Sequence, residues 1–259
     1  MISSADRAAK FERFRHILEE PWHQSKAGTF PLFTTDRSYD LETYQSESQG
    51  NLPEIFTHFV EVQPDKLFMD LGCGYRGDIL FHNVLNVEVY PSRSADLIVD
   101  PTRPYPIRSE TLDGIGCFAV LEHTRQPWVV VREMRRMLRK GGTVFIDWPF
   151  LQPVHGYPSH YFNATREGLK TIFEDEGFEV ELCDTFVNQT VAYTVSWVLG
   201  ALNHHLPAEI RPELLNMTVG ELMALDVQGE QWRRWLEALP ATAREELACG
   251  NSLVAKKAA

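Results

Sequence analysis

The apolar positions of this chain fall into two periodicities. Phe11, Phe14, Ile17 and Leu18 recur at helical spacing, and Pro21-Trp22 ends that helix. Residues 52–59 read as a short amphipathic helix. It leads into Leu67-Phe68-Met69-Asp70-Leu71, a run apolar enough for a central parallel strand covered on both faces. Further strand-like runs occupy residues 85–90, 95–100, 112–120, 143–148, 178–186 and 251–256. Between the fourth and fifth of these seven strands, Val130, Met134, Met137 and Leu138 share one helical face. Arg132, Glu133, Arg135, Arg136 and Arg139 share the other, which reads as solvated. Gly141-Gly142 is the expected stop of that helix. Thr165 is the expected cap of the next helix, with Glu167 in its first turn, Leu169, Ile172 and Phe173 facing inward, and Gly177 at its end.

Two stretches lack a clear partner in this scheme. Residues 31–50 have no strong periodicity and read as a surface wrap or a lid. About 60 residues before the last predicted strand are helical in pattern, far longer than a usual connection. Within them residues 191–202 are apolar nearly all round, yet about a dozen residues are too few to span a bilayer. Trp232, Trp235 and Leu236 mark a further amphipathic helix, after residues 222–225. The expected layout is a helical or lid segment at 1–60, a core at 61–189, a helical insert at 190–248, and a last strand and tail at 249–259. The insert is read as a source of substrate choice or of a homo-oligomer contact.

Composition narrows the function classes. The chain has 259 residues, 44% of them hydrophobic and 24% charged, in the range of a water-soluble globular protein. A net charge of −11 opposes a phosphate-backbone-binding surface, so nucleic acid is disfavoured as a partner. The four cysteines form no CxxC pair, which argues against a zinc site; no metal is expected. The first residues, Met-Ile-Ser-Ser-Ala-Asp-Arg, lack a basic-then-apolar signal, and a cytoplasmic location with reduced thiols is the expectation. Three Asn-X-Thr matches, at Asn163, Asn188 and Asn216, are then read as chance.

The candidate chemistry clusters after the first strand. Gly72 and Gly74 permit a sharp turn and a close approach of backbone to a ligand. The stretch Asp70-Leu71-Gly72-Cys73-Gly74, with the later Leu121-Glu122-His123 and Arg135-Arg136-Met137-Leu138-Arg139-Lys140-Gly141-Gly142, resembles the class I S-adenosylmethionine (SAM)-dependent methyltransferases, of the type 11 kind, over roughly residues 65–185. The resemblance implies a Rossmann-like α/β fold: a seven-stranded, mostly parallel sheet, helices on both faces, and a helical insert before the last strand. It implies SAM as cofactor and a small-molecule acceptor, such as a sugar or natural product. Asp70, Gly72 and Gly74 would serve the methionine moiety. Glu88, 14 residues after Gly74, would take the ribose hydroxyls, and Asp100 the adenine amino group; Phe118 and Ala119 would line the cofactor. In isolation Glu88 also fits an edge-strand surface residue, and Asp100 a loop cap.

Two departures from the family pattern stand out. Arg76 interrupts the usual glycine spacing. In the aromatic loop 149–162, His160 stands where the subgroup has an acid, and Asn163 where it has an arginine. His123, His155 and His160 are the base candidates, and spacing selects none of them. A non-catalytic SAM-binding or scaffold protein is therefore an open alternative. So is an NAD-linked oxidoreductase, although the third spaced glycine of that fingerprint is absent.

Overall fold

The computed structural model describes residues 3–19, 22–24, 30–33, 50–77, 81–156 and 160–256. The lid reading of 31–50 falls largely outside these residues. The chain divides into two compact units. The first comprises residues 1–148 and 164–183, the second 149–163 and 184–259. The N-terminal helix thus shares a unit with the sheet, and the aromatic loop shares one with the C-terminal helices.

In the first unit a helix, α1 (Ser4–Phe14), is capped by Ser3, whose hydroxyl accepts the Asp6 N–H. Two-residue strands β1 (His23–Gln24) and β2 (Leu32–Phe33) follow, then α2 (Glu54–Glu61). Next come strands β3 (Phe68–Leu71), β4 (Val84–Glu88), β5 (Leu97–Ile98) and β6 (Leu112–Phe118), then helix α3 (Pro127–Met137), strand β7 (Leu138–Asp147) and helix α4 (Arg166–Asp175). The strand order is β1-β2-β5-β4-β3-β6-β7. All neighbours are parallel except β1 and β2. Leu71 pairs with Val87 on one side and Cys117 on the other, which sets the carboxyl ends of the central strands level.

Successive residues of β3 serve opposite faces, as strand geometry requires. Met69 and Leu71 join the larger core with Phe11 and Phe14 of α1, Val131 and Met134 of α3, and Phe173 of α4. Phe68 joins a smaller aromatic core with Phe56 and Val60 of α2 and with Phe118 and Phe145. Helices therefore cover both faces. The aromatic side explains the glycines of β6. Gly114, Gly116 and Phe118 share a face, and a Cβ on Gly116 would lie 2.6 Å from the Phe118 ring and 3.0 Å from that of Phe56. Gly116→Ala is expected to destabilise the unit by about 1–3 kcal/mol through overpacking, read as a lower urea midpoint at unchanged slope.

The five parallel strands of the expected core are present, and the two expected C-terminal ones are not. Residues 178–186 and 251–256 form no strand, and the sheet is extended instead at its opposite edge by β1 and β2. The mostly parallel sheet is thus confirmed, while the strands expected at 178–186 and 251–256 are corrected. The apolar runs at 178–186 and 251–256 are strand-like in composition, but pairing decides a strand, and neither finds a neighbour among the described residues. Helix α3 also ends earlier than Gly141-Gly142 suggested. Leu138 already pairs with Leu112, and the glycines lie in an irregular stretch of β7 before Thr143 meets Gly114. The charged face of α3 is solvated as expected, with Arg132 and Arg135 exposed, and two of its arginines also act as tethers. Arg136 donates to the Ile107 and Tyr105 carbonyls and pairs with Glu133, and Arg132 pairs with Glu176.

The second unit holds five helices among the described residues: α5 (Val191–His205), α6 (Arg211–Leu215), α7 (Val219–Ala224), α8 (Glu230–Ala238) and α9 (Ala241–Glu246). Its core gathers Leu202, Leu206, Leu214, Trp235, Leu239 and Ala243. Trp235 is fully buried, and its indole N–H donates to Glu213 at 3.2 Å, which satisfies the one polar group of that side chain. No helix is long and apolar enough to cross a membrane among the described residues.

Candidate functional site

The carboxyl ends of β3, β4, β5, β6 and β7 form one edge, with the order reversing between β3 and β6. Open α/β sheets bind ligands at such a reversal. The turn leaving β3 starts with Gly72, at φ +72°, and Gly74, at φ +52°. Both lie in the left-handed region that side chains disfavour. A Cβ on Gly72 would also fall 2.3 Å from the Val120 side chain. The N–H groups of Gly72 and Cys73 both donate to the Val87 carbonyl, at 2.8 and 3.0 Å, which folds the turn back over the end of β4.

Glu88 closes that fold. It is 5% exposed at the end of β4. One carboxylate oxygen accepts the Gly74 N–H at 2.9 Å, and the other the Val89 N–H at 2.7 Å. Burial pushes its pKa up; the two backbone donors oppose that rise, and nearby Asp70 adds to it. The carboxylate is therefore built into the turn rather than standing on an edge-strand surface. The Ser92 hydroxyl donates to the Gly74 carbonyl and completes the inner wall.

Asp70 is fully buried and engaged by Arg76. Arg76 Nε donates to one carboxylate oxygen at 2.8 Å, and Nη2 to the other at 3.1 Å. This is the bidentate geometry that makes Arg–carboxylate pairs strong. Burial works against the guanidinium charge, but Asp70 outweighs it, and the Arg76 pKa stays above its ordinary value.

Asp100 follows β5 and caps a turn: one oxygen accepts the Thr102 N–H at 2.9 Å and the Thr102 hydroxyl at 2.6 Å. Those bonds hold its pKa low. Phe118, at the end of β6, turns its ring into the aromatic core, 5.4 Å from Phe56, so its backbone rather than its ring belongs to the edge. Ala119 follows at φ +53°, uncommon for a residue with a Cβ. Its N–H donates to the Asp147 carbonyl at 2.9 Å. Such conformations persist where surrounding structure imposes them, often at functional edges.

The three histidines fall in different units. His123 lies in the first, in the turn Leu121–His123 after β6, with Nε2 3.7 Å from Glu122 Oε1. His155 and His160 lie in the second, with ring centroids 4.6 Å apart and edge-to-face. His155 Nδ1 is 3.0 Å from the Pro153 carbonyl, which fixes the tautomer that carries its proton there. His160 Nε2 is 2.7 Å from Asn163 Oδ1. Burial pushes the His155 pKa down. Two buried charged residues escaped the sequence reading. Glu122 is fully buried beside His123. Lys10 is also buried, 2.5 Å from Asp96. The spacing Lys10, Phe14, Ile17 puts that lysine on the buried stripe of α1, a signal that was present in the pattern.

The chain has likenesses to known proteins over part of its length. No curated protein matches the chain. Among solved structures, the Haloferax volcanii complex of the Trm112 methyltransferase activator with a methyltransferase is 17% identical, covering 47% of this chain and 64% of that one, at TM-score 0.37. The match thus spans less than two thirds of that chain. A SAM-dependent methyltransferase from Mesorhizobium loti is 14% identical, covering 58% and 84%, at TM-score 0.35. Phosphoethanolamine N-methyltransferase 2 of Haemonchus contortus, solved with SAM, is 14% identical, covering 66% and 43%, at TM-score 0.36. Likenesses at these identities and scores carry no argument by themselves. The family model described as a methyltransferase domain matches residues 69–146, from the middle of β3 to the end of β7. Over those residues, which include the glycine turn and the β4 carboxylate, the chain is similar to a methyltransferase domain.

Proposed function

We propose that this chain transfers the methyl group of SAM to a small-molecule acceptor, with a sugar or natural product as the class tested first. The observation that carries the reading is the Glu88 carboxylate locked under the Gly72–Gly74 turn at the strand-order reversal. The donor set fits the nucleoside half of the cofactor. Each Glu88 oxygen uses one lone pair on a backbone N–H, and a carboxylate has further lone pairs with which to accept from a ribose diol. Asp100, at the end of the neighbouring strand, would accept from the adenine amino group. The fit at Asp70 is different, because Arg76 already holds both of its oxygens.

When bound, the cofactor supplies a methyl group on a good leaving group. The chain's part is to orient the acceptor within ~3–3.5 Å and in line, and to exclude water. In the second unit the His155 Nδ1–H is committed to Pro153, which leaves the basic lone pair on Nε2, and burial holds its pKa below the ordinary imidazole value; His155 is one of three base candidates. His123, His160 and a homo-oligomer contact through the C-terminal helices remain parts of the proposal for mutational test.

Calorimetric titration with S-adenosylhomocysteine, with NAD as control, tests the reading. Micromolar binding is expected, weakened about 10- to 100-fold by Glu88→Gln, the loss of a charge-assisted hydrogen bond. Absence of S-adenosylhomocysteine binding would leave the scaffold alternative in its place, and preferential NAD binding would restore the oxidoreductase.

A further inference from the structure

Arg76 is fixed at four points. Its backbone N–H donates to Ser94 Oγ at 2.9 Å, Nη1 to the Gly50 carbonyl at 3.1 Å, and Nε and Nη2 to Asp70. Its side chain is only 8% exposed, and that of Asp70 is not exposed at all. A guanidinium held in this way is part of the turn, not a surface group resting against it. It also sits two residues after Gly74, where the glycine spacing of the turn breaks off.

The consequence concerns the amino-acid end of the cofactor, whose ammonium needs a carboxylate partner. An ammonium that reached Asp70 would have to displace Arg76 or share one carboxylate with it. Displacement exchanges the two parallel charge-assisted hydrogen bonds of a fixed guanidinium fork for those of a single-point ammonium, and it leaves a buried guanidinium without its carboxylate. Sharing places two cations on one carboxylate in a region with little water to screen them. The bidentate pair wins either way.

We propose that Arg76 stands in for the ligand's ammonium on Asp70, so that this site selects its cofactor through the nucleoside and does not read the amino group. Arg76 is then the specificity-determining residue of the turn, and Asp70 is its anchor rather than a ligand contact. The proposal rests on the SAM-binding reading above.

Calorimetry on the wild-type chain tests it with two ligands: S-adenosylhomocysteine, and its deaminated analogue, which keeps the carboxylate and replaces the amino group by hydrogen. The expected result is a loss of less than about fivefold on deamination, because no strong hydrogen bond disappears. In Arg76→Gly the Asp70 charge is released, and deamination should then cost about tenfold or more. Arg76→Gln offers the same comparison if the glycine variant fails to fold, and the wild-type ratio decides by itself if both fail. A wild-type preference for the amino form of about fivefold or more overturns the proposal while the SAM reading stands. So does a ratio that does not change in a folded Arg76 variant. If neither ligand binds the wild type, the SAM reading itself fails and the role of Arg76 falls with it.

Discussion

Replacing Glu122 by glutamine is expected to make the protein more stable, by an amount that grows with pH. Glu122 is fully buried in the turn after β6. Burial and the neighbouring Asp147 carboxylate raise its pKa from 4.5 to about 8, although its own backbone N–H favours the charged form. The folded chain therefore keeps a proton that the unfolded chain releases once the pH passes the ordinary glutamate value. Where the folded state binds more protons, stability falls as pH rises. The wild type thus has its full Glu122 contribution below pH 4.5 and loses it progressively up to about pH 8. Over that interval the loss amounts to about 3–5 kcal/mol. Glu122→Gln keeps the shape and removes the titration. Urea unfolding of both proteins at pH 5, 7 and 9 should show curves close together at pH 5 and widely separated at pH 9. A difference that does not change with pH would show that Glu122 ionises freely in the folded chain.

The same residue shows where sequence reading stops. Leu121-Glu122-His123 was legible as a motif, and His123 drew attention as a base candidate because imidazole titrates near neutrality. Burial raises the Glu122 pKa, and burial depends on how β6 and β7 end beside each other. The five parallel strands were legible because each is a short apolar run next to a glycine or an acid. Glu88 was legible from its distance to Gly74. The outer strands were not. Residues 178–186 and 251–256 carry strand-forming residues without pairing, while His23–Gln24 and Leu32–Phe33 pair without any periodic signal. A two-residue strand is specified by its neighbour, here by Leu97 and Ile98, and not by its own pattern. Arg76 was noticed as an interruption in the glycine spacing, but its partner could not be read, because an arginine can reach many carboxylates and only the fold selects Asp70.

Lys10→Met is expected to destabilise the first unit strongly. Lys10 is 1% exposed on α1, and Asp96, just before β5, is 2% exposed. Their charged atoms lie 2.5 Å apart. Asp96 also accepts the Asn86 N–H at 2.8 Å, while its own N–H donates to the Asn86 carbonyl at 2.8 Å and its carbonyl accepts from Leu32 at 2.8 Å. One aspartate thus joins β2, β4 and β5, and Lys10 is the cation that allows its charge to stay there. Methionine fills similar volume but leaves the carboxylate buried with one backbone donor, the Asn86 N–H, among the described residues, at a cost of about 3–5 kcal/mol. The loss follows from the stranded charge rather than from a missing attraction. Neutralising the partner should therefore restore most of it: Lys10→Met with Asp96→Asn, whose amide oxygen still accepts from Asn86, is expected to return to within about 1–2 kcal/mol of the wild type. Salt should not rescue the single variant, because a buried charge is screened little. Urea titration of the two single variants and the double variant checks this. A Lys10→Met loss below about 1 kcal/mol would mean that water reaches Asp96 and that the α1 contact is a surface ion pair.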